Sequence, residues 1–426
     1  MILRAFILCV LLFNVRAYDR LMHLNLWAED ANDYARSAFE LGWGSLLLPI
    51  AGYQTIIQRF IAIIGTYVPL EALAHFYFET YILCASAVIA YFVHDDFEHI
   101  ITKAKNRFFI AGTLCVVAGI GECLGNLCNL HWYFSFGLGL LAMRRLDRET
   151  KPVHIIIAIL FGFSAGESLM FAPLFALRAW LQRKSTTRES WKESAITIGL
   201  ICIGIINIIY RDERHFKDHI ILLNTFMERI YYTVMNHFLF APLFGTHTTQ
   251  YIAYYEPLFW LFSVLVITLY SRAFFKTKTA QERLIYIVPL AFLATVALSW
   301  IVRKVAFSLY ARDRSYWYWH YNRYSMNMSQ IALIFTLSQL TRLSGRFSQK
   351  TFNWLLAFVF IHNLYLFEIK RTGGLTWIGQ LRESTVKPIP CDKPIHIKVS
   401  PEHDDYWGVD IPGKLMCEYR AKRFNL

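Results

Sequence analysis

The sequence predicts an all-α protein that crosses a membrane many times, with about eleven transmembrane helices and a small polar appendage at the C-terminus. Of the 426 residues, 56% are hydrophobic and only 17% are charged, whereas a soluble domain carries about 25% charged residues. The apolar residues form long runs. Lys and Arg are concentrated in the short connections between these runs, so the net charge of +12 indicates a lipid bilayer as partner and not a nucleic acid.

A helix that spans the hydrocarbon core needs roughly 20 apolar residues, with a range of about 17–25. The stretch 153–181 is interrupted at Gly166-Glu167-Ser168 and has three interpretations: two short helices, a re-entrant pair or one long tilted helix. We place the membrane domain within 1–367. Its predicted spans are 2–18, 69–93, 108–124, 130–143, 153–168, 169–181, 194–210, 257–271, 284–302, 325–341 and 353–367.

The distribution of basic residues predicts the orientation. Five connections hold 18 Lys and Arg in 58 positions, and the loops on the opposite side hold 12 in 118 positions. Basic residues favour the cytosolic side. The five cytosolic connections are therefore 94–107, 144–152, 182–193, 272–283 and 342–352. The outer loops are 19–68, 211–256 and 303–324, and the tail 368–426 is also outside.

Both ends of the chain carry further predictions. Residues 5–13 form an apolar core that Val15-Arg16-Ala17 follows, which is compatible with either a first span or a cleaved signal peptide. Either interpretation places residue 18 outside. In the polar tail we expect short strands and turns. Cys391 and Cys417 could form a disulfide there if the tail lies outside the cytosol.

The first outer loop begins with three acidic residues that are candidates for chemistry, Glu29, Asp30 and Asp33. A carboxylate at a membrane boundary can act as a general base, because partial burial tunes its pKa. The structural alternative is that Asp30 is a helix N-cap and Asp33 an acidic residue of the first turn. On a helix, Asp30 and Asp33 would share one face with Tyr34 and Ser37, which is more polar than a cap requires.

The motif around these residues resembles a bacterial subgroup of GT-C-type membrane glycosyltransferases. The match runs over about 35 residues through Trp27-Ala28-Glu29-Asp30, Gly42-Trp43-Gly44-Ser45-Leu46, Pro49-Ile50-Ala51-Gly52-Tyr53 and Arg59. Asn129-Leu130-His131-Trp132 and Arg323-Tyr324 are similar to later motifs of that subgroup. The chain departs from the pattern in one respect, since its first span has almost no cytosolic lead.

The resemblance implies a GT-C-like fold and a transfer reaction at the outer face of the bacterial inner membrane. The donor would be a polyprenyl-phosphate-linked sugar, and the acceptor an envelope glycan or lipid. An acidic residue of the first outer loop would be the general base, with Asp30 as first choice and Glu29 as second.

Further residues could bind such substrates. Arg323, with Tyr324, and Arg59 could hold a lipid phosphate, because Arg binds phosphate through two nitrogens; the alternative is a cation that snorkels to the interface. Glu167 lies in an apolar stretch, where a carboxylate is costly and often functional. Tyr53, His131, Trp132 and Asp33 complete the predicted substrate-lining set, although a histidine at a span edge, such as His131, is more often an interfacial histidine than a ligand.

The sequence contains no phosphate-cradling Gly-rich loop and no His/Cys spacing for structural zinc. It therefore does not predict nucleotide binding, and it identifies no cofactor with certainty. A divalent metal at Glu29 and Asp30 is possible. Two rival functions remain open. The chain could be a transporter or flippase of lipid-linked glycans, although it lacks the paired halves typical of transporters, or an inactive scaffold related to the enzymes.

Overall fold

A computed structural model describes residues 1–50, 52–117, 124–183, 187–210, 256–303, 349–365, 376–386, 388–399 and 408–424, together with five positions between 330 and 338. The described chain is mostly helical with two strands, as predicted for an all-α protein. Its helices are α1 (Ile2–Arg16), α2 (Tyr18–Met22), α3 (Arg36–Leu41), α4 (Ile56–Gly65), α5 (Leu73–Tyr91), α6 (Ala104–Val116), α7 (Leu130–Met143), α8 (Pro152–Gly162), α9 (Ala172–Gln182), α10 (Thr187–Ile209), α11 (Glu256–Phe275), α12 (Ala280–Arg303), α13 (Gln349–Tyr365), α14 (Trp377–Ser384) and α15 (Gly413–Phe424); the strands are β1 (Ile395–Lys398) and β2 (Gly408–Ile411).

The helices follow the predicted apolar segments closely. Helix α7 has the predicted bounds, 130–143. The stretch 153–181 forms two short helices, α8 and α9, with a break at 163–167. The first outer loop is more ordered than expected, because its apolar residues 56–65 form α4. The predicted span 325–341, apart from five positions, and nearly all of the outer loops 211–256 and 303–324 lie outside the described residues.

Within the described ranges, two helical segments are long and apolar enough to cross a membrane, Leu70–Tyr91 and Ser190–Ile209. Several shorter helices nevertheless turn an apolar face outward. On α1, Leu3, Ile7 and Leu11 are exposed at a spacing of four, while Ala5 and Cys9 are buried. Continuous exposed apolar faces of this kind mark contact with a membrane or a partner protein.

Four of the predicted basic connections meet at one end of the helices. There the buried carboxylate of Glu193 accepts hydrogen bonds from Arg178 (3.0 Å), Arg144 (3.4 Å) and Thr150 (2.7 Å). This cluster joins 144–152 to the start of α10, so α8 and α9 form a hairpin between two connections on the same side. The connection 94–107 reaches the same end through Glu98 and Arg145, at 3.3 Å. The connection 272–283 does so through the side chains of Gln281 and His99, at 2.8 Å.

The described part of the tail packs on the first outer loop, at the opposite end. Strands β1 and β2 pair antiparallel, with Ile395 opposite Ile411, and Cys391 and Cys417 form the expected disulfide. Strand β2 packs against residues 30–35 of the loop.

Three further contacts tie the tail to the chain before α5. The indole nitrogen of Trp377 donates to the Leu70 carbonyl at 2.6 Å, and its main-chain N–H donates to the Leu24 carbonyl at 2.8 Å. The Arg36 guanidinium lies 3.1 Å from the Asp410 carboxylate. The described part of the tail therefore packs onto the end that carries the predicted first outer loop (the outer end).

We expect Trp377→Ala to loosen the tail, because this side chain is 1% exposed and truncation of a buried Trp costs about 3–5 kcal/mol. Protease cleavage after 376 and thermal unfolding in detergent should report the loss. Trp354→Ala is the matched control, since Trp354 is 70% exposed and should change stability by less than about 0.5 kcal/mol. Equal protease resistance of the two variants would contradict the assigned packing.

Candidate functional site

Asp30 begins a short π-helical turn, Asp30–Ala35, whose buried residues Asp30, Ala31, Tyr34 and Ala35 face inward. Its carboxylate is 2% exposed. The two oxygens accept main-chain N–H groups from Leu127 at 2.9 Å and Cys128 at 2.7 Å. The N-cap interpretation is therefore wrong in its geometry, since the carboxylate binds amides about a hundred positions away instead of those of its own turn.

Burial raises the pKa of Asp30 from 3.8 to about 7, because desolvation disfavours the charged form. The N–H groups of Cys128 and Leu127 oppose this rise and keep it moderate. The neighbouring carboxylate of Glu29 raises the pKa further, and Arg20 lowers it. The result is a carboxyl group that exchanges its proton near neutral pH.

The positively charged Arg20 binds the segment 124–128, which also supplies the two amides to Asp30. Its guanidinium donates to the Leu124 carbonyl and to the Asn126 side-chain oxygen, and it lies 5.2 Å from the centre of the Trp27 ring. Residues 124–128 are thus held from two sides. Arg20 donates to their oxygen atoms, and Asp30 accepts their main-chain N–H groups. Sequence reasoning missed Arg20. Its only signal was a basic residue on the side where such residues are in the minority.

Arg59 is 3% exposed and links α4 to the first outer loop. Its Nε donates to the Leu48 carbonyl at 3.2 Å, and its Nη1 donates to the Asp33 carbonyl and the Ser37 hydroxyl. The guanidinium also lies 5.2 Å from the centre of the Tyr34 ring. Within the described chain, Nη2 is the nitrogen without a hydrogen bond to protein. For Arg59 to bind a phosphate through two nitrogens, one of its present hydrogen bonds to Leu48, Asp33 or Ser37 would have to break.

The carboxylates of two further predicted residues act on this site: Glu29 acts on Asp30, and Asp33 acts on Arg59. Glu29 is half-buried, and its carboxylate makes no hydrogen bond to the part of the chain that the structure describes. The half-buried carboxylate of Asp33 attracts Arg59 electrostatically. Asp33 thus interacts with Arg59 through both its main-chain carbonyl and its charged carboxylate. It therefore positions Arg59, in addition to its predicted role of lining the substrate site.

His131 and Tyr53 extend the site from Asp30 toward α8 and α9. The Nδ1 of His131 lies 2.7 Å from the Cys128 carbonyl, next to the amide that binds Asp30. The His131 ring is 4.4 Å from the Trp132 ring and 5.7 Å from the Tyr53 ring, centre to centre. Tyr53 in turn packs against Gly166, where a Cβ atom would lie 2.9 Å from its ring.

Glu167 follows directly after that contact and is 8% exposed. Its Oε2 accepts a hydrogen bond from the Ser135 hydroxyl, on α7, at 3.1 Å. A chain of contacts therefore leads from Asp30 through His131 and Tyr53 to Glu167. Arg323 and Tyr324, the other predicted phosphate-binding residues, lie outside the described residues.

Metal binding gains no support from this geometry. Across the described residues, no group of three or more His, Cys, Asp or Glu side chains is arranged to hold a metal ion. Glu29 and Asp30 alone supply two carboxylates, and Asp30 already accepts two amides. The chemistry that the site offers is proton transfer and hydrogen bonding.

Comparison with known proteins adds no relative. No protein-family model matches the chain, and no curated protein or solved structure matches it either.

Gly166→Ala should disturb the site by pushing Tyr53 away, since the new methyl group would overlap its ring. Overpacking of this kind costs about 1–3 kcal/mol, and we expect a lower melting temperature in detergent. Gly44→Ala is the control, because its nearest neighbour would be the Leu41 Cβ at an ordinary 3.7 Å. If both variants melt like the wild type, Tyr53 is not held against this turn.

Proposed function

We propose that the protein is a membrane glycosyltransferase that moves a sugar from a polyprenyl-phosphate-linked donor to an extracytoplasmic envelope glycan or lipid. The observation that carries this proposal is the buried Asp30 carboxyl group, held rigidly by the Leu127 and Cys128 amides with a pKa of about 7. A general base works best when its pKa lies near the operating pH. The resemblance of the surrounding motif supplies the substrate class.

In the proposed reaction the base removes the proton of an acceptor hydroxyl as its oxygen attacks the anomeric carbon of the sugar. The bond from that carbon to the phosphate oxygen breaks, and polyprenyl phosphate leaves with the electron pair. Attack opposite the leaving group inverts the anomeric centre, as the resemblance implies. Arg323, Tyr324 and Nη2 of Arg59 are the proposed contacts of the phosphate.

Asp30 and Glu29 suit the role of base in different ways. Asp30 is rigid and has a tuned pKa, but its oxygens already accept two amides. Each carboxylate oxygen has a second acceptor position, and we propose that the substrate hydroxyl uses it. Glu29 is more accessible and less constrained. We keep Asp30 as the base and assign Glu29 to raising its pKa by charge repulsion.

The sidedness of the protein supports an extracytoplasmic site. The first outer loop lies at the end opposite to the basic connections, and the disulfide-bonded tail covers it. Disulfides persist outside the cytosol, and basic connections favour the inside. We therefore propose the bacterial inner membrane as the location, with the site facing outward.

The direct test is transfer of radiolabelled sugar from polyprenyl-phosphate donors to envelope fractions. We expect Asp30→Asn to lower transfer by about 100-fold or more, in line with loss of a general base, and Glu29→Gln to have a smaller effect. Glu40→Gln is the matched control, because Glu40 lies on the same loop but is exposed and paired with Arg36. Wild-type rates in all three variants, at matched membrane levels, would favour transport or scaffolding instead.

The pH dependence gives a second test. A base acts in its deprotonated form, so transfer should fall about tenfold per pH unit below a pKa of about 7. Stability should change in the opposite direction. Because the Asp30 pKa is raised on folding, its stabilising contribution is full at acid pH and is lost as the pH rises through 7. In Asp30→Asn both trends should disappear; their persistence in that variant would assign them to another group.

A further inference from the structure

The last helix of the tail ends in a turn that is both basic and aromatic. Residues 420–424 of α15 include Arg420, Lys422, Arg423 and Phe424 and contain no acidic residue. Lys422, Arg423 and Phe424 are exposed, and the Arg423 guanidinium lies 4.9 Å from the centre of the Phe424 ring. Helices α14 and α15 together contain five basic residues and two acidic ones. The end of the tail therefore carries positive charge.

Arg423 joins this turn to the end of α14. Its Nη1 donates to the Arg382 carbonyl at 2.7 Å and to the Thr385 hydroxyl at 2.9 Å. Arg382 is exposed, and Val386, directly after Thr385, is 67% exposed. The ends of the two helices thus share one surface, the basic–apolar patch. It consists of Arg382, Val386, Lys422, Arg423 and Phe424.

The basic–apolar patch lies beside the outer end of α5. Trp377, in the first turn of α14, donates its indole N–H to the Leu70 carbonyl at 2.6 Å. Tyr419, on α15, interacts electrostatically with Glu71 and with Arg423. Leu70 and Glu71 begin one of the two described segments that are long and apolar enough to cross a membrane. The patch therefore lies at the level where this segment would leave the bilayer.

We propose that the basic–apolar patch binds the headgroups of anionic phospholipids in the membrane that surrounds the helices. Val386 and Phe424 provide exposed apolar side chains that enter the headgroup layer. Arg382, Lys422 and Arg423 provide cations for the lipid phosphates. This combination of basic and apolar side chains is typical of segments that lie at a membrane surface. The inference needs only the position of α5 in the bilayer and is independent of the transferase reaction.

Lipid binding at this position slows the exchange of main-chain hydrogens in α15. Exchange requires local opening of the helix. A ligand that binds only the folded form shifts that opening equilibrium toward the closed helix. The amides of 413–424 therefore report binding at the patch, even though other surfaces of the protein also touch lipid.

The test measures hydrogen exchange by mass spectrometry on the full-length protein in nanodiscs of phosphatidylcholine, with or without phosphatidylglycerol. We expect phosphatidylglycerol to slow the exchange of 413–424 by about tenfold or more in the wild type, since each basic residue near an anionic surface contributes about fivefold. Lys422→Gln should remove about fivefold of this slowing and leave exchange in phosphatidylcholine alone unchanged. At about 1 M salt, where the Debye length is about 3 Å, the slowing should vanish.

Lys414→Gln is the matched control, because it removes the same charge from the same helix. Lys414 is also exposed, but it lies in the first turn of α15, about 12 Å along the helix axis from Lys422. The preceding Gly413 packs against the carbonyls of residues 390–393, beside the disulfide. The effect of phosphatidylglycerol should therefore persist in Lys414→Gln.

Three results would overturn the proposal. The first is equal exchange of 413–424 in the two lipids. The second is an equal loss of slowing in Lys414→Gln and Lys422→Gln, which would show a general effect of charge. The third is slowing that appears only in discs with two copies of the protein, irrespective of phosphatidylglycerol, which would assign the patch to self-association. Sugar transfer is measured separately, so failure of this proposal leaves the proposed function standing.

Discussion

The hydrogen bonds between the Asp30 carboxylate and the amides of Leu127 and Cys128 are the contact from which the outer end is organised. A buried carboxylate is tolerated where its charge is compensated by hydrogen bonds. Here two N–H groups provide that compensation at 2.9 and 2.7 Å. They also fix the loop before α7, because the same segment is bonded by Arg20 from the other side. The position of His131, and through it that of Tyr53, follows from this contact.

The two ends of the helical body use buried charge differently. At the basic end, Arg144 and Arg178 both reach one carboxylate oxygen of Glu193, and none of the three is more than 1% exposed. Such a cluster joins chain segments, and removal of one partner is costly. At the outer end, the carboxylates of Glu29 and Glu167 and the hydroxyl of Ser168 keep unused hydrogen-bonding capacity within the described chain. Substrate chemistry is more easily placed where that capacity remains.

The sequence predicted those features that depend on local patterns. The bounds of α7 follow from an apolar run that ends at Arg144-Arg145, and the break between α8 and α9 follows from Gly166-Glu167-Ser168. The shared place of Cys391 and Cys417 in the polar tail made their pairing one of two open outcomes, and the structure shows the bond.

The partners of Asp30 could not be predicted, because almost any residue can supply a main-chain N–H group and the sequence does not mark which one does. The two amides also lie 97 and 98 positions away in the chain. The same limit explains Arg59, whose acceptors are largely carbonyls.

The tail is also part of the surroundings of Asp30. Strand β2 packs against the π-helical turn that begins at Asp30, and Trp377 bonds to the chain before and after that turn, at Leu24 and Leu70. A cross-link restricts the unfolded tail, so the Cys391–Cys417 disulfide favours the folded appendage that makes these contacts. The geometry around Asp30 then depends on residues almost 400 positions later in the chain. A truncation before 376 would remove the packing contacts around Asp30–Ala35 and not merely a polar extension.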